Sequence, residues 1–422
     1  CHGKLYDIEL NDDGTEIVPK YNLTSDSIDK LNVLQYLPPM VQKPNDWISN
    51  TDGGWLWERK SIILGKGTHH FKPQAYDALL NVQSNEYGKA LLSLFNKKVV
   101  TNLDNIKIAI AGHAGQDKLT WDGRIKWFNQ QLNLDVDTFD EPILGSKAIQ
   151  AYLDSKKGIP TGYTMSIDAT ASGLQVMSAL SGCKVTARAC NMVNTGNRED
   201  IYQFVADSMN AILKPIDNVT RKNVKKPVMT TFYNSEANPK ATFNKQQLSA
   251  FYESLDDTLP GALDVMEAVN QYWDSTADVH MWTLPDGHVA KVPVTEMSDI
   301  RIEVDELDHR TFTYRYNKQQ PSENYRSLVA NIVHSVDGYV AREMVRRCHS
   351  MKIDLVHIHD CFVFSPDYLQ VVQQTYREIL AEIANSDLLS DILSEISGSY
   401  VPVTKLSTDL AKEILNSEYM LS

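Results

Sequence analysis

Cysteine is scarce in this 422-residue sequence, and its five copies (Cys1, Cys183, Cys190, Cys348 and Cys361) lie far apart. An odd, scattered set without metal-ligand spacing argues for a reducing compartment and against a disulfide frame or a zinc site. Long apolar runs are missing too: none approaches the length of a membrane span, and no signal-peptide pattern opens the chain. Basic residues are outnumbered, with 41 Lys and Arg against 54 Asp and Glu and a net charge of −13. Taken over the whole chain, that balance argues against a nucleic-acid partner, because phosphate binding needs cations. The charges are segregated, however. Carboxylates gather at RIEVDELDH (Arg301 to His309) and from Glu378 onward, whereas cations gather at TRKNVKK (Thr220 to Lys226) and AREMVRRC (Ala341 to Cys348). A charged groove is local and net charge is not, so the objection weakens. Internal repeats and low-complexity segments are absent as well.

What is present is an ordinary globular composition, 42% hydrophobic and 23% charged, in a chain long enough for a large core and two or three subdomains. The first residue is Cys1 rather than Met, which suggests trimming at that end, and EILNSEYMLS reads as a natural end. Residues 1 to 67 are rich in turn formers, and LPPMVQKPNDW (Leu37 to Trp47) reads as an extended arm. The pattern turns helical from Asp77 to Leu94. GYTMSI (Gly162 to Ile167) predicts a strand, and ASGLQVMSALSG (Ala171 to Gly182) a short helix ending at a glycine. Asn197 to Leu213 predicts an amphipathic helix with Ile201, Val205, Met209 and Leu213 on one stripe. Further helices are expected over Val219 to Ser235, Gln246 to Leu255 and Leu328 to His349. Between Met281 and Tyr316 the chain reads as β-rich, with turns at Pro285 to Gly287 and Asp305 to Asp308.

Three stretches carry chemistry. In VHIHDCFVF (Val356 to Phe364) apolar residues of period two flank His359 and Asp360, and SPD closes the run as a turn. A carboxylate inside such a hairpin must be paired, protonated or bound to a cation; the bland alternative is a turn aspartate. SIDATASGLQ puts Asp168 where a strand ends and a glycine-containing turn feeds a helix, a place for a cleft ligand or simply a helix cap. Asp168 and Asp360 together, with a backbone carbonyl such as that of Ala169, could share two Mg²⁺ ions for phosphoryl chemistry. In TRKNVKKPVMTTFYNS, Arg221, Lys225, Met229 and Tyr233 recur every four residues and share one helical face. Two cations, a thioether and a phenol suit a nucleoside triphosphate, whereas the alternative is a basic surface helix with Met and Tyr in the core. Pro227 would bend such a helix.

Carboxylate, cationic helix and carboxylate hairpin, in that order, resemble motifs A, B and C of the single-subunit, T7-like phage RNA polymerases. Motif A is DATASGLQ, motif B RKNVKKPVMTTFYNS and motif C HIHDCFVF. NREDIYQFVADSMNAIL, WTLPDG, NIVHSVDG, GHAGQDKL with RIKWF, and the closing EILNSEYMLS are similar to family segments too, so the likeness runs from about residue 75 to the end. It implies an α+β right-hand polymerase of palm and fingers, mostly helical with a small antiparallel palm sheet. The expected division is an arm (1–67), palm (68–196), fingers (197–333, with a specificity-hairpin-like region at 281–316), and a second palm part with a C-terminal foot (334–422).

The resemblance implies DNA-directed RNA synthesis with two Mg²⁺ ions held by Asp168, Ala169 and Asp360. His359 would flank the metal and the RNA 3′ end. Arg221, Lys225 and Lys226 would meet the triphosphate, with Lys225 the proton donor to pyrophosphate. Met229 would lie near the base, Tyr233 and Tyr202 near the sugar, and His334 at the template–product minor groove. Motif A lacks the glutamate by which related DNA polymerases exclude ribose. Asn234 stands where the family usually has glycine, and Pro227 where it often has serine. The family's upstream T/DxxGR motif has only a degenerate counterpart, THHFK (Thr68 to Lys72); TWDGR (Thr120 to Arg124) fits the letters but lies too near Asp168. Lys72 or a partner's residue would have to replace that arginine.

Family members are about twice this length, with a thumb and N-terminal domain that find no counterpart here. The chain thus resembles the larger, catalytic subunit of the heterodimeric, N4-type phage RNA polymerases, which implies a second subunit supplying the thumb. A single-stranded or melted DNA template, an RNA product, rNTPs and the host bacterial cytoplasm follow from the same likeness. The rival readings are a non-catalytic polymerase-like nucleic-acid-binding subunit, a family A-like DNA polymerase and a metal-dependent phosphohydrolase.

Overall fold

The computed structural model describes residues 8–10, 17–19, 97–131, 133–294, 296–304, 309–318 and 326–422. The arm at 37–47, the helix expected from Asp77, THHFK with Lys72, and the turn at 305–308 lie outside them. The chain divides into two units, Cys1–Leu64 and Gly65–Ser422. In the first, β1 (Ile8–Leu10) pairs antiparallel with β2 (Ile17–Pro19).

The first described helix of the second unit is α1 (Leu103–Ala111), started by Asn102, whose side chain accepts from the Asp104 and Asn105 N–H groups. A π-helical turn, Gly112–Gln116, then bends the chain through Gly115 (φ 78°) into α2 (Trp121–Gln130). With α3 (Pro142–Lys156), α1 encloses a satellite core of Ile106, Ile110, Phe139, Ala148 and Ala151.

The main core forms around a three-stranded antiparallel sheet made from distant parts of the chain. Strand β3 (Met165–Asp168) buries Met165 and Ile167 and exposes Ser166 and Asp168, as a period of two requires. It is followed by α4 (Ser172–Ser181), which Gly182 ends in the left-handed conformation (φ 71°). Next come α5 (Lys184–Ala189), α6 (Ile201–Ile212), α7 (Arg221–Thr231), α8 (Ala237–Thr242), α9 (Lys245–Thr258) and α10 (Pro260–Asn270). The expected β-rich region is two hairpins, β4 (Val279–Thr283) with β5 (Val289–Pro293) and β6 (Glu296–Val304) with β7 (Arg310–Lys318). Helix α11 (Arg326–Ser350) leads to β8 (Leu355–Ile358) and β9 (Cys361–Phe364), and α12 (Leu369–Asn385), α13 (Leu388–Ser397) and α14 (Leu410–Leu415) complete the fold.

Strand order is β3-β9-β8, with Ile167 opposite Phe362 and Asp168 opposite Cys361. Phe362, Phe364 and Tyr376 are at most 1% exposed, each contributing about 1.5–3 kcal/mol of burial. Helices α4, α11 and α12 pack against one another behind the sheet. Gln175 of α4 is fully buried but satisfied: its amide donates to Met420 O (3.1 Å) and Cys190 O (3.0 Å) and accepts from the Tyr376 hydroxyl (2.7 Å). The α+β, mostly helical architecture with a small antiparallel palm sheet is the one expected. Three elements are shorter than the sequence suggested. Strand β3 starts at Met165, not Gly162, and runs one residue further, to Asp168. Helix α6 starts at Ile201, not Asn197, because the Asp200 side chain caps the Tyr202 and Gln203 N–H groups. Helix α7 stops at Thr231, which leaves Tyr233 in the following turn.

Candidate active site

Asp168 ends β3 opposite Cys361, so Asp360 lies one rung further along at the same end of the sheet, and Ala169 N–H donates to Asp360 O at 3.2 Å. His359 and Asp360 form the two-residue turn between β8 and β9. The hairpin is therefore buried at its base and open at its tip, where Ile358 is 69% exposed. That answers the puzzle of a carboxylate among apolar residues: Asp360 faces a cleft, not the core. His359 holds φ 56°, a costly conformation for a non-glycine residue that the surrounding ladder enforces. Asp168 is not a helix cap; α4 has Ala171 (φ 132°) at that position and no side-chain cap.

The C-terminal segment makes a further rung. Thr170 N–H donates to Met420 O (3.0 Å) and Ser422 N–H to Asp168 O (2.9 Å), flanking an Ala169–Leu421 bridge. Those two bonds close the bridge without the Ala169 carbonyl, which is left outside it.

Helix α7 stands across the cleft. Thr220 and Asn223 start it with a capping box. Arg221 Nε donates to Asp200 Oδ2 at 2.5 Å, and the Arg221 guanidinium and Lys225 ammonium lie 5.4 and 5.8 Å from the Tyr202 ring centre. Tyr233 stacks on His334 with ring centres 4.6 Å apart and planes 9° from parallel. A Cβ at Gly173 would come within 3.1 Å of the Tyr233 hydroxyl, so a side chain there would press that phenol back by a few tenths of an ångström. Asn234 has φ 63°, a left-handed position that explains how it can stand where the family usually has glycine. Pro227 is buried within the helix.

The cleft has a volume of about 690 Å³ and is lined by Asp168, Ala169, Tyr202, Arg221, Lys225, Met229, Tyr233, His334, His359 and Asp360. Of the described candidate residues only Lys226 does not line it; its side chain is exposed to solvent. Arg124 of TWDGR is 3% exposed and also outside the cleft. Its guanidinium donates to the carbonyls of Leu119 (3.2 Å) and Asp117 (2.6 Å) and covers the Trp121 ring. It ties down the turn that carries Asp117 and Lys118, both of which line the cleft.

Asp117, Lys118, Arg198, Asp200 and Asp337 were not foreseen there. For Asp337 a signal existed, since it follows His334 by three on a helix and so shares its face. Burial and the neighbouring Asp360 push its carboxyl up to about 6. Burial raises the Tyr233 phenol, with Asp337 and Asp360 adding to the effect. It lifts Tyr202 to about 12, and burial, then His359, lowers His334. The Cys361 thiol is pushed up to about 12 by burial and by Asp168.

Among the described residues no group of three or more His, Cys, Asp and Glu gathers as a self-sufficient metal cage. Two carboxylates at one sheet edge and a main-chain carbonyl outside its bridge are a donor set that fits Mg²⁺, which keeps several waters and shares substrate phosphate oxygens. No described helix is long and apolar enough to cross a membrane.

The DNA-directed RNA polymerase of Pseudomonas phage phiKMV is 21% identical over 398 residues, covering 78% of this chain and 49% of that protein. The mitochondrial DNA-directed RNA polymerase 1 of Arabidopsis thaliana is 20% identical over 462 residues, 87% of this chain and 47% of that one. The chain thus spans about half the length of the curated relatives it matches. Among solved structures, the polymerase domain of Pol1 from M. smegmatis, in complex with a DNA primer-template and dNTP, aligns with a TM-score of 0.36 and 15% identity over 74% of this chain and 68% of that one. The family model for DNA-dependent RNA polymerase matches residues 148–283 and 263–420, well over half of the sequence. On that match the chain belongs to the DNA-dependent RNA polymerase family, the single-subunit, T7-like kind.

Proposed function

We propose that this chain carries the nucleotidyl-transfer centre of a DNA-directed RNA polymerase, adding rNTPs to an RNA 3′ end under a DNA template. The observation that carries the reading is the juxtaposition of Asp168, at the end of β3, and Asp360, in the adjoining β8–β9 turn, in one cleft with Arg221 and Lys225. Asp168, Asp360 and the Ala169 carbonyl would hold two Mg²⁺ ions, which when bound supply the positive charge that stabilises the entering and leaving oxygens. The RNA 3′ hydroxyl gives up its proton to solvent and its oxygen bonds to the α-phosphorus as the bond to the bridging oxygen of pyrophosphate breaks. Arg221 and Lys225 bind the triphosphate through charge-assisted hydrogen bonds, and Lys225 gives the departing pyrophosphate its proton. His359, at the hairpin tip, lies beside the 3′ end. Tyr233 on His334, with Tyr202 behind, faces the sugar, and Met229 the base.

Motif A continues as Ala169-Thr170-Ala171, without a glutamate to exclude a 2′-hydroxyl, which favours ribonucleotides over the DNA polymerase reading. In this scheme palm (68–196 and 334–422) and fingers (197–333) meet at the cleft. The N4-type likeness, a thumb-supplying second subunit and a place in the host cytoplasm remain part of the proposal; co-purification of the chain with a second phage protein checks the subunit. The central test is template-directed incorporation with Mg²⁺, comparing rNTPs with dNTPs and the wild-type chain with Asp360→Asn. Incorporation that survives the substitution would sink the reading.

A further inference from the structure

Arg198 is half-buried in the cleft and has no assigned task. It sits on a loop that is held unusually firmly. Asn191, 3% exposed and at φ 62°, grips the backbone of Glu199 from both sides: its amide donates to Glu199 O (3.0 Å) and its oxygen accepts from Glu199 N–H (2.7 Å). The next residue, Asp200, is fixed as the cap of α6. The base of the Arg198 side chain is therefore positioned before any ligand arrives.

The guanidinium has five N–H donors. Among the described residues its one direct hydrogen bond is Nε to Ser422 Oγ at 2.8 Å. Asp117 and Asp200 act on it through space, yet each is engaged elsewhere, Asp117 with Lys118 at 2.7 Å and Asp200 with Arg221 at 2.5 Å. A partly desolvated cation with most donors uncommitted, facing a cleft, lacks an anion. Its location says which. Ser422, to which it bonds, also donates its N–H to the Asp168 carbonyl, so Arg198 stands by the strand end that carries the first carboxylate. Met229 and His334 belong to α7 and α11, and Tyr233 to the turn after α7.

We infer that Arg198 is a third phosphate-binding cation, which extends the row of Arg221 and Lys225 toward β3 and grips the β- and γ-phosphates that leave as pyrophosphate. This rests on the proposed triphosphate site. The competing explanation is a purely structural tie to the C-terminal segment through Ser422.

Inorganic tripolyphosphate, which has neither base nor sugar, separates the two when its binding with Mg²⁺ is measured by calorimetry on the purified polymerase. Arg198→Gln keeps a donor for Ser422 but removes the charge. It should weaken tripolyphosphate binding and raise the KM for rNTP by about tenfold to a hundredfold, the range for charge-assisted hydrogen bonds, at an unchanged melting temperature. Arg198→Lys should recover part of both. If Arg198→Gln lowers the melting temperature and leaves tripolyphosphate affinity and KM unchanged, Arg198 is an anchor and the inference is wrong. Failure of the wild-type protein to incorporate rNTPs would instead strike the proposed function, leaving the calorimetric result on Arg198 to stand or fall separately.

Discussion

The two walls of the cleft are built on different physics. The palm wall is a strand ladder: Asp168 and Asp360 are set by register, one rung apart, over a sheet whose inner side chains are fully buried. A slip of β3 by one residue would turn Asp168 to the other face. The facing wall is a single helix whose Lys225 and Met229 are solvent-exposed, with a proline inside and a left-handed Asn234 just past its end. Ala171 and His359, both lining the cleft, hold positive φ, as expected where geometry is held for a task. The lesson is a division of labour: the ladder fixes where chemistry occurs, and the helix supplies charge that can adjust to a ligand.

The largest effect should come from the ladder. Asp168→Asn or Asp360→Asn should lower the single-turnover rate at saturating rNTP on the order of a thousandfold or more, with little change in melting temperature. Next comes the helix. Lys225→Ala should cost on the order of a hundredfold, split between kcat and KM because the proposed role of Lys225 is both to bind phosphate and to supply a proton. If it acted on kcat alone, as strongly as the aspartates, the proposed division would break. Smaller still is Tyr233→Phe, which removes one hydroxyl from the stack on His334. Preference for rNTP over dNTP should drop by about tenfold, the value of one hydrogen bond, while the rNTP rate stays within severalfold. An unchanged ratio in competition assays would take Tyr233 out of sugar selection.

The ladder was the more legible wall in the sequence. Period-two burial around Asp360 and the strand-turn-helix around Asp168 mark both sites without reference to each other, although nothing local says that they pair. The helix wall was read as a four-residue stripe, and Arg221, Lys225 and Met229 obey it. Tyr233 reaches the same cleft from a turn, because α7 ends two residues earlier than the stripe assumes. The start of α6 is legible in the sequence: Asp200 with Gln203 three residues on is a capping signature, and the apolar stripe itself begins at Ile201, so nothing supports a helix reaching back to Asn197. Arg198, Asp117 and Lys118 were hidden for a better reason. Each lies in a turn without periodicity, and only the tertiary clamps from Asn191 and Arg124 bring them to the cleft.

The smallest effect asks what keeps the ladder rigid from behind. Lys405 is mostly buried, and its ammonium donates to Ala179 O (2.7 Å) and Ile383 O (3.3 Å), carbonyls near the C-terminal ends of α4 and α12, the helices that back the sheet. Burial lowers its pKa from the ordinary lysine value to about 8. Below that pH the residue is charged both folded and unfolded, and the folded state bears the desolvation cost. As pH rises past about 8 the native amine loses its proton while the unfolded chain keeps it, so the unfolded state binds more protons and stability from this residue rises until the unfolded pKa is reached. A neutral amine still donates to both carbonyls. The stability difference between the wild-type chain and Lys405→Met should therefore shift in favour of the wild type by about 1–2 kcal/mol between pH 7.5 and pH 9.5, read from paired denaturant titrations so that other titrating groups cancel. The KM for rNTP should not move, because Lys405 supports the ladder without facing the cleft. A flat difference across that window would mean that the ammonium is solvated in place, and that the rigidity of the palm wall owes nothing to this cap.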